Sequence, residues 1–269
     1  MKKSRHLIFG SNGFLGKNFK NFLLKKNYHK IYLSDLKKNN NKNYYYCDIA
    51  NFKRVYKIIK TVKPKYIWNF SGILKGSFKN LCKVNVIGSI NIMKAILQLD
   101  PNIKLILIGS AAEDNFDNKS KKFYYGLSKR MQKFYFDYYT RKYKLNLYYA
   151  KIYNIYGEGI SSDLLPGKIY NNLLLKKKKI IIYNPNTTRN YIRLKDVLKK
   201  IYLILKRSKK QKIYNIKSNR SIKNIDLFKK IVEELKCVLS ISYSNFFENR
   251  KKKIYKKAII TYKKNAKRF

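Results

Sequence analysis

Gly10-Ser11-Asn12-Gly13-Phe14-Leu15-Gly16 stands between a short apolar run at 5–9 and an amphipathic stretch at 17–26. Read as strand, turn and helix, it places three glycines where the chain must reverse sharply. Such glycines allow a tight turn, a close approach of backbone to a pyrophosphate, and close packing of helix on strand. The helix start adds free N–H groups and a positive dipole end. This predicts a dinucleotide fingerprint carried by Gly10, Ser11, Asn12, Gly13, Phe14, Leu15 and Gly16. Asp35 closes the next apolar run, nineteen residues beyond Gly16. An acid there accepts hydrogen bonds from adenosine ribose hydroxyls and repels a 2′-phosphate, which favours NAD over NADP. Lys37 and Lys38 pull the other way.

Working outward, strand and helix patterns alternate. Strands are expected at 30–34, 44–47, 66–70, 104–108 and 147–152, and helices at 51–62 and 84–97. Phe52, Val55, Ile58, Ile59 and Val62 recur at helical spacing, and Lys63-Pro64 ends the run. Such alternation predicts an α/β fold with a Rossmann-type, doubly wound parallel sheet. Beyond residue 150 the pattern loosens. Gly157, Gly159, Pro166 and Gly167 read as loop, followed by a helix at 169–177 and a strand at 180–183. Helix, strand and helix follow at 196–207, 212–216 and 225–235, and the lysine-rich last thirty residues show no pattern. The expected division is a dinucleotide-binding domain over 1–150, with later strands added from the C-terminal part. A small C-terminal substrate-binding lobe would occupy 151–269.

The 269 residues carry 63 Lys and Arg against 14 Asp and Glu, a net charge of +49. Such a balance first suggests a polyanionic partner. Here the lysines are spread over the whole chain and accompanied by abundant Asn, Ile and Tyr. These residues share A/T-rich codons, so a bias in coding DNA accounts for all four without a nucleic-acid site. Cys47, Cys82 and Cys237 are far apart and form no CxxC pair. That suits a reducing, cytoplasmic setting and argues against disulfides or a bound metal. The opening apolar run is cut by Gly10 too early for a signal peptide, and no stretch approaches a membrane span.

Tyr125-Gly126-Leu127-Ser128-Lys129 sets Tyr and Lys four apart on one helix face. The same spacing occurs at Tyr56, Tyr138, Tyr191 and Tyr202, so spacing alone selects nothing. Context selects Tyr125: it follows Ser110 by fifteen residues, and Ser110 ends an apolar strand. Doubly wound folds bind ligands at such strand ends. Hydride transfer from an alcohol requires loss of the hydroxyl proton. A tyrosine of ordinary pKa is a poor base at neutral pH, but a nearby ammonium and a positive nicotinamide favour the phenolate. A serine hydroxyl can hold the substrate oxygen in line.

These stretches together resemble the NAD-dependent epimerase/dehydratase family of extended short-chain dehydrogenases. The likeness also includes Cys47-Asp48-Ile49, Trp68-Asn69-Phe70-Ser71-Gly72, Val84-Asn85 through Gly88-Ser89-Ile90-Asn91, and Gly109-Ser110-Ala111-Ala112-Glu113. Further on come Tyr153-Asn154-Ile155-Tyr156-Gly157, Thr188 to Ile192 with Asp196-Val197, and Tyr214-Asn215-Ile216. The resemblance implies Ser110, Tyr125 and Lys129 as catalytic residues, and Tyr125 and Lys129 as cofactor contacts too. Asp48 and Ile49 would flank the adenine, and Phe70, Ser71 and Gly72 would line the cofactor channel. Asn85 joins the cofactor-binding set, and Asn154 and Arg189 would hold a nucleotide diphosphate. It implies a homodimer through helices at 84–97 and 125–143, with Met131, Phe134, Tyr135 and Tyr138 at the contact. The chain departs from the family at Lys151, where arginine is usual, at Asp114-Asn115, which replace Tyr-Gly, and at Asn190, which replaces an aspartate. The link from Gly72 to Asn85 is short, and the family's closing segment is not recognisable.

The expected activity is hydride transfer at C4 of a nucleoside-diphosphate hexose with NAD. An epimerase and a 4-keto-sugar reductase of the GDP-4-keto-6-deoxymannose type both remain open. A catalytically idle nucleotide-binding or nucleic-acid-binding relative is the alternative, against which the intact Ser110, Tyr125 and Lys129 argue. A 4,6-dehydratase is not expected. In related dehydratases carboxylates follow the catalytic Ser or Thr; here Ala111 and Ala112 do, and an extended backbone would turn Glu113 away. For the charge, DNA binding is expected at low salt, without sequence preference, and should collapse near physiological salt as counterion release loses its advantage. A sequence-selective complex surviving at that salt in a filter-binding titration would reverse this reading.

Overall fold

In a computed structural model of the chain, residues 3–37, 39–115, 117–118, 120, 122–175, 179–207, 212–235, 240–248 and 253–261 are described. Lys38, Lys177 and Cys237 lie outside them. Two compact units result: Met1–Tyr153 with Val197–Ile216, and Asn154–Asp196 with Lys217–Phe269.

The first unit is built on a seven-stranded sheet. Its strands are β1 (His6–Phe9), β2 (Ile31–Asp35), β3 (Tyr44–Tyr46), β4 (Tyr66–Asn69), β5 (Lys104–Ser110), β6 (Leu147–Ile152) and β11 (Ile213–Ile216). The order is β11-β6-β5-β4-β1-β2-β3 and every pairing is parallel. All four residues of β1 and of β4 are buried, as expected of central strands covered on both faces. Succession runs outward in both directions from the β1–β4 pair, so the switch point, where such sheets bind ligands, lies at the carboxyl ends of these two strands.

The helices bury one stripe each. Helix α1 (Phe14–Leu24) buries Phe19 and Leu23. Helix α2 (Phe52–Val62) buries Val55, Ile58, Ile59 and Val62; Asn51 caps it by accepting from Arg54 N at 3.1 Å, and Lys63 ends it at φ 46° before Pro64. The helix expected at 84–97 is longer: α3 (Phe78–Leu81) continues through a π-helical turn at Cys82–Ile87 into α4 (Gly88–Leu99). Helix α5 (Phe123–Lys142) differs in kind, burying Ser128, Lys129 and Gln132 with Phe136.

In the second unit, β7 (Asn154–Tyr156) pairs with β10 (Tyr191–Arg193), and β9 (Thr188–Arg189) with β12 (Ile222–Lys223). Helix α6 (Leu165–Leu174) starts four residues before the expected 169. Pro166 and Gly167, read as loop, fall in its first turn, where a missing N–H costs no hydrogen bond. Helix α7 (Leu194–Arg207) runs on into the first unit. Ile169, Tyr170, Leu173, Ile180, Ile182, Tyr191, Leu227 and Phe228 form the second core with helix α8 (Asn224–Glu234). The tail corrects the expectation of no pattern: β13 (Ser240–Glu248) and β14 (Lys253–Thr261) form an antiparallel hairpin, and β14 pairs with β8 (Lys179–Tyr183). Lysines at 253, 256 and 257 hide the strand period in composition, while Ile241 and Tyr243 between serines keep it.

Asn91 ties a helix to a loop. Its Nδ2 donates to Ile49 O at 3.0 Å with Asn91 only 8% exposed. Asn91→Ala leaves that carbonyl without its partner, so urea unfolding should show a loss of about 1–3 kcal/mol; an unchanged midpoint would remove Asn91 from the account.

Candidate functional site

At the switch point the glycine turn is held by backbone hydrogen bonds and by the side chains of Asp35 and Tyr44. Gly10 N and Ser11 N both donate to Ser34 O, at 2.9 and 3.2 Å, and Gly13 N donates to Gly10 O at 3.2 Å. Gly10 sits at φ 72°, and a Cβ there would stand 2.5 Å from Ser71 N. A Cβ on Gly16 would strike Gly10 O. Gly13 caps α1 without a side-chain hydrogen bond, so the first N–H groups of the helix are left for a ligand. Ser11 Oγ is buried with no hydrogen-bond partner. Asp35 lies against this turn: Oδ2 accepts from Asn12 N at 2.8 Å and Oδ1 from Leu36 N at 2.7 Å. Tyr44, unforeseen from sequence, accepts from Asn12 Nδ2 at 3.0 Å and donates to Lys37 O. A cradle of glycines, free helix N–H groups, an orphaned hydroxyl and an adjacent carboxylate fits a dinucleotide.

The remaining cofactor-side residues line up along neighbouring strand ends. Asp48 accepts from Ala50 N at 2.9 Å and pairs with Lys83 at 3.1 Å; Ile49 is buried beneath Gly88. Phe70 and Ser71 are half-buried after β4, and Gly72 is exposed. Asn85 has both ends of its amide engaged. Oδ1 accepts from Ile73 N at 3.0 Å, and Nδ2 donates to Ile73 O at 3.1 Å and to Ser128 Oγ at 2.9 Å. It therefore pins the loop after Gly72 to α5.

Ser110 ends β5, its Oγ accepting from Ala112 N at 3.2 Å. The side chains of Ser110 and Tyr125 are neighbours. Burial raises the Tyr125 hydroxyl above its usual range, the neighbouring Ser110 hydroxyl works against this, and the charge of Glu113 adds to it. Lys129, 4% exposed, donates from Nζ to Ile108 O at 2.9 Å and Gln132 Oε1 at 3.0 Å. Burial pushes its ammonium down to about 8, with the Glu113 carboxylate pulling upward. Gln132 Nε2 in turn donates to Ser89 Oγ at 2.7 Å, and Ser89 Oγ to Asn85 O at 2.9 Å. Sequence reasoning missed Gln132 and Ser89; the signal was a polar side chain on the same face as Tyr125 and Lys129, seven and three residues on. The competing pairs separate here: Tyr138 with Lys142 is an exposed contact, and Tyr191 lies on a strand.

The segment after Ser110 is not extended. Ala111–Asp114 form a 3-10 turn, which sends Glu113 into the protein. Its Oε2 accepts from Tyr149 OH at 2.6 Å and its Oε1 lies 3.3 Å from Lys151 Nζ. The expectation that Glu113 simply alternates to the opposite face is thus corrected in its reason. In the second unit Asn154 Nδ2 donates to Asn190 O at 3.0 Å, and Arg189 is exposed on β9. Asn190 explains one family departure: its amide donates to Ser218 O at 3.0 Å and accepts from Ser218 N at 2.9 Å, which a carboxylate cannot do.

The family model described as NAD dependent epimerase/dehydratase family matches residues 6–216. A UDP-glucose 4-epimerase of Mycoplasma genitalium is 23% identical over 280 residues, covering 85% of this chain and 82% of the relative. A dTDP-D-glucose 4,6-dehydratase of Dictyostelium discoideum is 32% identical over 94 residues, 35% of this chain and 22% of that protein's length. The crystal structure of L-threonine dehydrogenase from Phytophthora infestans superposes with a TM-score of 0.74 at 18% identity, covering 87% of this chain and 82% of that one. That last likeness concerns the fold.

The buried Lys129 makes stability depend on pH. Its folded pKa of about 8 lies below the ordinary 10.5. Between these values the unfolded chain binds the proton and the folded chain does not, so stability rises with pH across that window. The gain is fully present above 10.5 and lost as pH falls through 8, a span on the order of 3 kcal/mol. Lys129→Met should remove this rise from chemical-denaturation curves taken between pH 7 and 10.5, and identical pH slopes in both proteins would refute it.

Proposed function

The chain belongs to the NAD-dependent epimerase/dehydratase family, and on that premise we propose that it oxidises or reduces C4 of a nucleoside-diphosphate hexose with NAD. The observation that carries this reading is the Ser110–Tyr125–Lys129 group at the carboxyl end of β5, beside a turn built for a dinucleotide. Bound NAD supplies the hydride acceptor and, reduced, the hydride donor. Ser110 Oγ holds the sugar oxygen. Tyr125 Oη takes the proton from the C4 hydroxyl on oxidation and returns it on reduction. Lys129 Nζ, charged at neutral pH, favours the phenolate that oxidation requires. Asp35 accepts from the adenosine ribose and selects NAD over NADP, while Asp48, Ile49, Phe70, Ser71 and Gly72 border the cofactor. Asn154 and Arg189 hold the diphosphate, a role that suits the guanidinium's fork of donors.

The relatives' names divide between epimerases and dehydratases. Dehydration needs a further acid and base beside the tyrosine. Ala111 and Ala112 offer neither, and the Glu113 carboxylate is engaged by Tyr149 and Lys151. This supports an epimerase or a 4-keto-sugar reductase. A cytoplasmic homodimer is part of the same reading. The free thiols Cys47 and Cys82 suit a reducing setting, and among the described residues no helix is long and apolar enough to cross a membrane. Of the expected contact residues, Phe134 and Tyr138 are exposed and suit a self-contact, Met131 is half-buried, and Tyr135 packs against the core.

The test is to denature the purified protein and assay released NAD, then to assay turnover of nucleotide hexoses and their 4-keto derivatives. Stoichiometric NAD with epimerised product indicates the epimerase; cofactor-free protein consuming reduced cofactor indicates the reductase. Tyr125→Phe should lower turnover about a hundredfold or more while cofactor still binds. Near-normal turnover in that variant, or a 4-keto-6-deoxy product from nucleotide glucose at an ordinary rate, would defeat the proposal.

A further inference from the structure

Glu113 has no part in the reaction as proposed, yet it is a carboxylate only 3% exposed beside the residues that carry it. Two elements converge on it. From β6, Tyr149 OH donates to Oε2 at 2.6 Å and Lys151 Nζ stands 3.3 Å from Oε1; Lys151 also binds both carboxylate oxygens of Asp114 at 2.6 Å. From α5, Arg130 Nε donates to Glu113 O at 2.9 Å and Nη2 to Asn115 O at 3.0 Å. The Tyr149 hydroxyl lies 3.3 Å from Lys129 O, so it adjoins both the carboxylate and the helix turn bearing Lys129. Gly109 has no side chain because the Tyr149 ring occupies the place of its Cβ. The turn that follows Ser110 is thus fastened to the strand beside it and to the helix of Tyr125 and Lys129.

We propose that Glu113 is a positioning residue for the Ser110–Tyr125–Lys129 group, its buried carboxylate, gripped by Tyr149 and Lys151, acting as the fixed counter-charge that keeps Lys129 an ammonium. The role in turnover rests on the function proposed above; the electrostatic role does not. A buried ammonium that donates only to the neutral Ile108 O and Gln132 Oε1 is costly unless an opposite charge is near. The groups facing Glu113 are Tyr149 and Lys151 from β6, Tyr125, Lys129 and Arg130 from α5, and Asp114 in its own turn. Of these, Lys151 competes with Lys129 for the same carboxylate. Burial works to lower the Lys151 ammonium, but the Asp114 hydrogen bond and the Glu113 charge prevail and raise it. Lys151 is thus shared between Asp114 and Glu113, and the charge of Glu113 between Lys151 and Lys129.

A purely structural Glu113 would lose stability on replacement without moving a titration. A counter-charge moves one. Glu113→Gln keeps the shape and one acceptor oxygen but removes the charge, so Lys129 should lose its proton at lower pH. The Lys129-dependent rise in unfolding stability, isolated by subtracting the Lys129→Met curve in each background, should begin about one pH unit lower. Lys151→Met removes the competing cation and should move the onset the other way. In a pH–rate profile both limbs of Glu113→Gln should slide to lower pH, because Tyr125 also loses a repelling neighbour. Opposite movement of the two onsets supports the proposal, and an onset unmoved in either folded variant overturns it. The unfolding experiment uses neither sugar nor cofactor. A shifted onset in a protein inactive on nucleotide sugars would therefore sink the proposed reaction while sustaining the role of Glu113 toward Lys129.

Discussion

The rest of the first unit is organised around the approach of three backbones at Gly10. A Cβ there would stand 2.5 Å from Ser71 N, and one on Gly16 would meet Gly10 O. Strand β1, the end of β4 and the start of α1 can come this close only without side chains. The contact fixes where α1 begins, and so where its unpaired N–H groups point. It also sets the carboxyl ends of β1 and β4 side by side, which leaves Ser34 O to receive two amide donors from the turn. Asp35 follows immediately, and its carboxylate closes on Asn12 N. Nothing in this arrangement depends on a long-range ion pair. It is a matter of excluded volume and backbone hydrogen bonding, which is why seven residues of sequence announce it.

The second organising feature is of the opposite kind. Helix α5 buries, beside Phe136, three polar side chains, Ser128, Lys129 and Gln132. Their hydrogen bonds run through Ser89 and Asn85 into the helix of Gly88–Leu99 and its π-helical turn. A half-satisfied network of this sort would be worse than an apolar core. Here each of these members has a partner, and the result is a wall of fixed dipoles beside Tyr125. Rigidity there would serve the proposed hydride transfer, in which a proton leaves the hydroxyl oxygen as a hydride leaves the carbon bearing it, both in a defined geometry.

These two features differ in how far they can be read from residues alone. Strand runs such as Leu105–Leu107 and the helix ending at Lys63-Pro64 follow from local rules, and the parallel sheet follows from their alternation. Tyr125 was separable from four other Tyr–Lys spacings only because Ser110 ends a strand. Gln132, Ser89 and Tyr149 were not legible, because their roles arise from contacts between elements 43 and 36 residues apart. For Glu113 strand alternation supplies the wrong reason, because the strand ends at Ser110, where a 3-10 turn begins. The first turn of α6 and the C-terminal hairpin were hidden by proline, glycine and lysine, whose usual loop meaning yields to position within an element.

The charge of the chain bears on its site in a way that its sum does not convey. Only 14 acids stand against 63 bases, and four of them, Asp35, Asp48, Glu113 and Asp114, lie in the candidate site. In so basic a protein an exposed lysine finds few partners, and its pairing contributes little in water. A carboxylate at Asp35 or Glu113 acts differently. Asp35 accepts two backbone amides, a task no lysine can perform, since an ammonium has no acceptor. Glu113 answers a cation that its own burial would otherwise drive toward neutrality. With water excluded, the ionisation of Lys129 depends on the few acids held inside, and the geometry around Glu113 is built to hold one there.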